Sequence, residues 1–272
     1  MKILVTGSEG FIGKNLIEEI KNVFNMDIIF RFDIKRTAKE DIRVFYQLEE
    51  AMKNVDIVIH LAALCKETYI SNPIKCFDTN VLGTWNALEA ARINKVSHVI
   101  FTSSAAVDVI VRKIPFEYKQ QSPYGLSKVM CENLCKFYRE AYDMKIATLR
   151  LFNVYGKWNN KGVIKKIFDC IRNRKKFTLY NGGEEIRDYI HVDDVCKAIL
   201  NAIKYRADGL FEIGTGFGYN TKQVVGMIEE ITGEKVKIKK IKIPNQIQKS
   251  ICNIPLLTSI PIYDGLVKLW EE

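Results

Sequence analysis

Tyr124-Gly-Leu-Ser-Lys128 places a phenol and an ammonium four residues apart, on one face of what reads as a helix. A tyrosine alone is a poor base at neutral pH, because its unperturbed pKa is about 10. An ammonium about 5 Å away, at an effective dielectric of about 20, favours the phenolate by roughly 3 kcal/mol. At about 1.4 kcal/mol per pKa unit, that lowers the phenol by a little over two units. A second cation bound alongside would supply the rest. Such a pair is also found simply decorating a helix, so its meaning depends on what surrounds it.

The start of the chain supplies the first support. Met1-Lys-Ile-Leu-Val-Thr6 is an apolar run that reads as a buried parallel strand. Gly7-Ser-Glu-Gly10-Phe-Ile-Gly13 follows at once, and a helix is expected over 14–24. Glycines spaced G-x-x-G-x-x-G suit a tight strand-to-helix turn that offers backbone N–H groups and a helix N-terminus to a pyrophosphate. A second apolar run, 28–32, leads into Asp33, twenty residues after Gly13. A carboxylate there accepts hydrogen bonds from a ribose 2′-hydroxyl and repels a 2′-phosphate, which favours NAD over NADP. Arg31, Lys35 and Arg36 lie close enough to weaken that preference.

Further strand and helix patterns alternate, as in a doubly wound parallel α/β sheet of the Rossmann type. Residues 56–60 read as a strand with Leu61-Ala-Ala63 as the turn at its carboxyl end. A helix is expected over 79–94, with Val81, Trp85, Leu88 and Ala91 on one side. The strand 98–101 delivers Thr102-Ser-Ser104 to the sheet's carboxyl edge, where ligands bind in open α/β sheets. A long helix over 124–142 and a strand over 146–151 follow, the latter running into Phe152-Asn153-Val-Tyr-Gly156. The reading gives a dinucleotide-binding domain at 1–157 with returning segments at 187–216. Residues 158–186 and 217–272 then form a smaller, abbreviated substrate-binding lobe.

The composition is that of a globular α/β protein: 272 residues with 47% apolar content can fill such a core. The net charge of +9 matches an acidic small-molecule ligand and equally a lysine-rich soluble surface. No cluster of basic and aromatic residues suggests a nucleic-acid groove. Seven scattered cysteines argue against a disulfide framework and for a reducing compartment. Cys131 and Cys135 are helix-spaced, and His60, His98 and His191 form no ligand pattern with them, so no metal site is expected. The chain opens on a strand and no apolar run approaches a membrane span, so a cytoplasmic protein is expected.

Taken together, these pieces resemble the extended short-chain dehydrogenase/reductase family, in particular its nucleotide-sugar epimerases of the UDP-glucose 4-epimerase kind. The matching residues are Thr6-Gly-Ser-Glu-Gly-Phe-Ile-Gly13, Asp33, Asp41-Ile42, His60-Leu-Ala-Ala63, Asn80-Val-Leu-Gly-Thr84 and Thr102-Ser-Ser104. They continue with Ser122-Pro-Tyr-Gly-Leu-Ser-Lys128, Arg150-Leu-Phe-Asn153, Val154-Tyr-Gly156 and Arg187-Asp-Tyr-Ile-His-Val-Asp-Asp194. The resemblance implies NAD as cofactor, with Gly7, Gly10, Phe11, Ile12 and Gly13 around its diphosphate and Asp33 on its ribose. It implies that Asp41 and Ile42 bracket the adenine and that Leu61, Ala62 and Ala63 line the diphosphate further along. Asn80, Val154 and Lys128 would lie by the nicotinamide half. Ser104 would bond the reacting sugar oxygen and Tyr124 would act as the base, with Ser103 the alternative to Ser104. Asn153 and Arg187 would hold a UDP-linked sugar, Arg187 through its forked donors. Plainer readings are a surface carboxylate for Asp41, a turn residue for Asn153 and a surface ion pair for Arg187, while His191 and Asp193 read as capping or packing groups.

Dehydratases and decarboxylases of this family carry carboxylates just after the serine, where this chain has Ala105-Ala106. Epimerisation needs only the tyrosine, lysine, serine and room for a 4-keto sugar to turn over. The rivals are a reductase of 4-keto nucleotide sugars and a catalytically idle nucleotide-sugar or NAD-binding protein. Three departures bear on substrate choice: Val107-Asp-Val109 with a short loop after it, Ile243-Pro-Asn-Gln246 in place of an arginine-bearing segment, and a chain that stops soon after Trp270. Helices 79–94 and 124–142 occupy the positions that pair in the family's homodimers, and Val129, Leu134, Phe137 and Ala141 are the expected stripe.

Overall fold

The computed structural model describes residues 1–23, 29–65, 72–107, 122–242 and 249–272. Phe24, Ile28, residues 108–121 and the Ile243-Pro-Asn-Gln246 segment lie outside the described residues. The chain divides into two units, Met1–Arg150 with Cys196–Phe211, and Leu151–Val195 with Glu212–Glu272. Residues 151–157, 187–195 and 212–216, which the sequence reading gives to the first domain, group with the second unit.

The elements begin with β1 (Ile3–Thr6), α1 (Phe11–Val23), β2 (Ile29–Phe32), α2 (Phe45–Ala51), β3 (Ile57–His60) and α3 (Pro73–Phe77). Next come α4 (Gly83–Ile93), β4 (His98–Ser104), α5 (Pro123–Tyr142), β5 (Ile146–Leu151), β6 (Asn153–Tyr155), α6 (Val163–Arg172) and β7 (Phe177–Tyr180). The chain then forms β8 (Ile186–His191), α7 (Val192–Lys204), β9 (Gly209–Ile213), β10 (Gly218–Asn220) and α8 (Thr221–Thr232). It closes with β11 (Ile238–Ile241), β12 (Lys249–Ser250) and α9 (Ile262–Glu271).

Six strands form one sheet in the order β2-β1-β3-β4-β5-β9, with β1 parallel to β2 and β3, and β3 parallel to β4. The strand order reverses at β1, which has β2 on one side and β3 on the other. In an open parallel sheet that arrangement leaves a crevice outside the carboxyl ends of the strands. Every residue of β1 and β3 is buried, which is why both read as unbroken apolar runs. The core beneath the sheet's helices includes Leu4, Phe32, Leu48, Leu88, Phe101 and Ile146.

Three elements differ from their sequence reading. The first helix starts at Phe11, in the glycine turn itself, and buries Leu16, Ile17 and Ile20. The helix expected over 79–94 is instead α3, a π turn at Asp78–Leu82, and α4. A π turn inserts one extra residue, and here it turns Asn80 inward to be 1% exposed. Trp85, expected on the apolar side, is 54% exposed, and the buried stripe of α4 runs through Ala87, Leu88, Ala90 and Ala91. On α5 the inward face is Lys128, Cys131, Cys135 and Tyr138, while Phe137 is 52% exposed and Ala141 is exposed. A buried lysine and tyrosine hide that face from any reading by hydropathy.

In the second unit, β8 lies between antiparallel β10 and parallel β12, and β6 also pairs with β8 in parallel. Strands β7 and β11 form a separate parallel pair. Tyr155, Ile167, Phe168, Leu179, Ile228 and Leu266 form its core, with the Trp270 ring stacked on Phe168 at 5.5 Å. Helix α8 opens on a full capping box, with Asn220 and Gln223 exchanging side-chain and backbone hydrogen bonds.

Candidate active site

The first glycine turn is built for close backbone approach. Gly7 has φ +70°, and a Cβ there would stand 2.7 Å from the Ala62 nitrogen. A Cβ on Gly13 would stand 2.3 Å from the Gly7 carbonyl oxygen. These contacts press the turn after β1, the start of α1 and the turn after β3 together. Beside them is a cavity of about 280 Å³ lined by Gly7, Gly10, Asp33, Asp41, Ile42, Leu61, Ala62 and Ala63 among others. Phe11, Ile12 and Gly13 do not line it: Phe11 and Ile12 open α1, and Gly13 packs that helix against the turn.

Asp33 stands at the end of β2 and is 8% exposed. Its carboxylate accepts from the Glu9 N–H and the Lys35 N–H, both at 2.9 Å. Asp41 accepts from Arg43 through the backbone N–H at 2.9 Å and through Nη2 at 2.6 Å, and that guanidinium holds its carboxyl below the usual range. Ile42 is buried, and its Cδ1 would lie 2.5 Å from a Cβ on Gly83. Glycines, a ribose-facing carboxylate and a helix N-terminus suit an adenosine diphosphate moiety, so the residues present fit a dinucleotide.

Asn80 is held at both ends of its side-chain amide. Its Oδ1 accepts from the Leu64 N–H at 2.8 Å, and its Nδ2 donates to the Leu64 carbonyl at 3.1 Å and Ser127 Oγ at 2.9 Å. Both ends of the amide therefore clasp the chain after β3 and the helix that carries Lys128. Val154 lies in the second unit and lines the cavity there.

Helix α5 is started by local sequence. Ser122 Oγ accepts from the Gly125 N–H at 3.1 Å and Pro123 occupies the first helical position, which sets Tyr124 in the first turn. Gly125 lets that turn approach the end of β4: a Cβ there would stand 3.0 Å from the Ala106 carbonyl oxygen. Ala105–Val107 form a single 3₁₀ turn, and the Ala106 N–H donates to Ser104 Oγ at 3.2 Å. Ser103, one residue earlier, donates to Glu132 Oε1 at 2.6 Å. Alternation along β4 sends the two hydroxyls to opposite sides, so the structure commits Ser103 to Glu132.

Lys128 is 3% exposed, and burial pulls its pKa down. Its Nζ donates to the Thr102 carbonyl at 2.8 Å, lies 4.8 Å from the Phe101 ring centre and 6.0 Å from the Tyr124 ring centre. The cation thus sits between the end of β4 and the face of the tyrosine. Nearby His60 is pushed down to about 3, first by burial and then by the charge of Lys128. It stays neutral between Thr6 Oγ1 at 2.7 Å and Thr84 Oγ1 at 3.1 Å.

The second unit has its own cavity of about 300 Å³, lined by Asn153, Val154, Asn159, Lys161, Glu185, Arg187, Tyr189 and Thr221 among others. Asn153 Nδ2 donates to the Asp188 carbonyl at 3.0 Å. Arg187 Nη1 donates to the Ile186 carbonyl at 2.9 Å, and burial lowers the guanidinium's pKa. His191 Nδ1 accepts from the Asp193 N–H at 3.3 Å, and Asp194 accepts from the Ile260 N–H at 2.7 Å, so these groups fasten chain segments.

Residues 3–214 match the model of the NAD dependent epimerase/dehydratase family. The chain belongs to that family. A putative UDP-glucose 4-epimerase of Methanocaldococcus jannaschii is 32% identical over 254 residues, covering 85% of this chain and 82% of the relative. A UDP-glucose 4-epimerase of Yersinia enterocolitica is 30% identical, covering 87% and 84%. Among solved structures, a UDP-glucose 4-epimerase of Thermotoga maritima with UDP-glucose superposes with a TM-score of 0.82 at 25% identity, covering 100% of this chain and 98% of that one. As a member of an NAD-dependent epimerase family, the chain is an enzyme of the extended short-chain dehydrogenase/reductase type.

Within this epimerase-family site, sequence reasoning missed a partly buried ion pair. Arg150 Nη2 donates to Glu132 Oε2 at 2.7 Å and its Nε to Oε1 at 2.8 Å, the same oxygen that Ser103 reaches. Glu132 follows Lys128 by four residues, as Lys128 follows Tyr124, so helical spacing alone could have found it. The pair ties α5, β4 and β5 together beneath the catalytic candidates.

Proposed function

We propose that this chain is an NAD-dependent 4-epimerase of a UDP-linked sugar, acting through a 4-keto intermediate. The observation that carries the reading is Lys128, buried and aimed between the Thr102 carbonyl and the Tyr124 ring. A cation held there favours the phenolate of Tyr124, which takes the proton of the sugar's 4-hydroxyl. Ser104 donates to the same oxygen while its charge develops. Bound NAD supplies a reversible acceptor for the hydride from C4. Once the 4-keto sugar has turned over in the site, Tyr124 would return the proton to the 4-oxygen. No net oxidation occurs, so no external reductant is needed.

The turn after Ser104 holds two alanines and a valine, Ala105 and Val107 being buried. It offers no acid or base for dehydration, which supports epimerisation. Arg187 and Asn153, with the cavity they share, are the proposed holders of the diphosphate and sugar, and the UDP-glucose bound by the solved relative supports a UDP-linked sugar as the ligand class. Among the described residues no helix is long and apolar enough to cross a membrane, and all seven cysteines are free. A reducing, cytoplasmic setting with ready nucleotide sugars suits both. We place the homodimer contact on α4 and α5, where Trp85, Ile93, Phe137 and Tyr142 are exposed.

The test is product analysis at C4. The protein incubated with UDP-hexoses, without added dinucleotide, is expected to interconvert one 4-epimer pair, and Tyr124→Phe to lose at least about a hundredfold in kcat. Near-normal turnover in Tyr124→Phe would remove the proposed base.

A further inference from the structure

The ribose-facing end of the first cavity carries more charge than Asp33 alone. Glu9, from the glycine turn, donates its backbone N–H to Asp33 while its carboxylate pairs with the Arg31 guanidinium. Glu40 accepts the Asp33 N–H on Oε2 at 2.8 Å. The same carboxylate accepts from Arg36 Nη1 at 3.2 and 3.3 Å, and Arg36 also donates to the Arg31 carbonyl. The two glutamates are the sheltered partners, with side chains 19% and 18% exposed against 38% for each arginine. Arg31 and Arg36 flank the cavity; of the cations that line it, Arg43 is held by Asp41, which leaves Lys35 and Lys75.

A 2′-phosphate is a dianion or nearly so at neutral pH and is best gripped by the forked donors of arginine. Two arginines stand beside Asp33, yet each is paired with a carboxylate: Arg36 with Glu40, which accepts the Asp33 N–H, and Arg31 with Glu9, whose own N–H donates to the Asp33 carboxylate. We propose that Glu9 and Glu40 are specificity-determining residues, which sequester Arg31 and Arg36 and thereby make the site reject a 2′-phosphate. Discrimination against NADP then rests on three carboxylates, with Asp33 supplying the ribose contact and the glutamates disarming the cations. This inference rests on the dinucleotide site described above.

Titration calorimetry with NAD and with NADP, on protein stripped of resident dinucleotide, tests it without reference to turnover. The variants are Asp33→Ser, the triple Asp33→Ser/Glu9→Gln/Glu40→Gln, and that triple with Arg31→Ala and Arg36→Ala added. Asp33 is buried and accepts two backbone N–H groups, so a thermal melt of each variant checks that it folds. The triple variant is expected to raise the NADP-to-NAD affinity ratio over Asp33→Ser by about tenfold or more, and the added arginine substitutions to remove that gain. A ratio within about threefold of Asp33→Ser, or a gain that survives loss of both arginines, overturns the proposal. Wild-type protein that binds neither dinucleotide would instead remove the cofactor site itself.

Discussion

His60 stands where β3 meets the cofactor cavity, and its ring bridges Thr6 and Thr84 without room for a charge. The unfolded chain takes up this proton near pH 6.5, while the folded chain refuses it until about 3. Between those values the unfolded state binds more protons, so stability falls as the pH drops through the window. At about 1.4 kcal/mol per pKa unit, the full gap is worth several kcal/mol at its acid end. His60→Asn is therefore expected to be less stable at pH 7 but to lose less on going from pH 6.5 to pH 4, as urea unfolding at each pH would show. An unchanged pH slope would contradict the assignment. At this scale type and spacing in the sequence put forward Tyr124, Lys128, Ser104 and Asp33 as candidates for the chemistry. It was illegible where an internal partner decides a residue's use: nothing in the chain order announces that Asn80 clasps Leu64 and Ser127, or that Ser103 belongs to Glu132.

Helix α5 joins the residue scale to the fold, because its first turn fixes where Tyr124 stands relative to Ser104. Ser122 and Pro123 set the start, and Gly125 sets how closely that start approaches Ala106. Gly125→Ala gains about 0.8–1 kcal/mol of helix propensity. It also places a Cβ 3.0 Å from a backbone carbonyl, so the turn must shift by a few tenths of an ångström. The expected outcome is a melting temperature near wild type with kcat reduced roughly tenfold, read by thermal melts and steady-state kinetics. A wild-type kcat would show that this approach does not position the base. The alternation of strands and helices was legible because β1, β3 and β4 are buried apolar runs. The π turn at Asp78–Leu82 was not, since it arises from a tertiary demand on Asn80 and leaves the local helical pattern intact.

The whole molecule pairs a dinucleotide-type unit with a second unit that has its own cavity and core. The fold class was legible from the order of the motifs, but the division was not. Strand β8 carries motif residues, and only its pairing with β6, β10 and β12 shows where it belongs. The exposed Trp85 and Phe137 predict that the double variant Trp85→Glu/Phe137→Glu sediments as a monomer where the parent is a dimer; a monomeric parent would contradict the dimer. In the proposed epimerisation the sugar would lend a hydride to the cofactor and take it back, so this enzyme is expected to keep its NAD through each cycle. Denaturing the purified protein and identifying the dinucleotide it releases tests that claim most directly. The account predicts close to one NAD, oxidised or reduced, per chain; a protein that emerges empty and consumes NADPH with a 4-keto nucleotide sugar would contradict it.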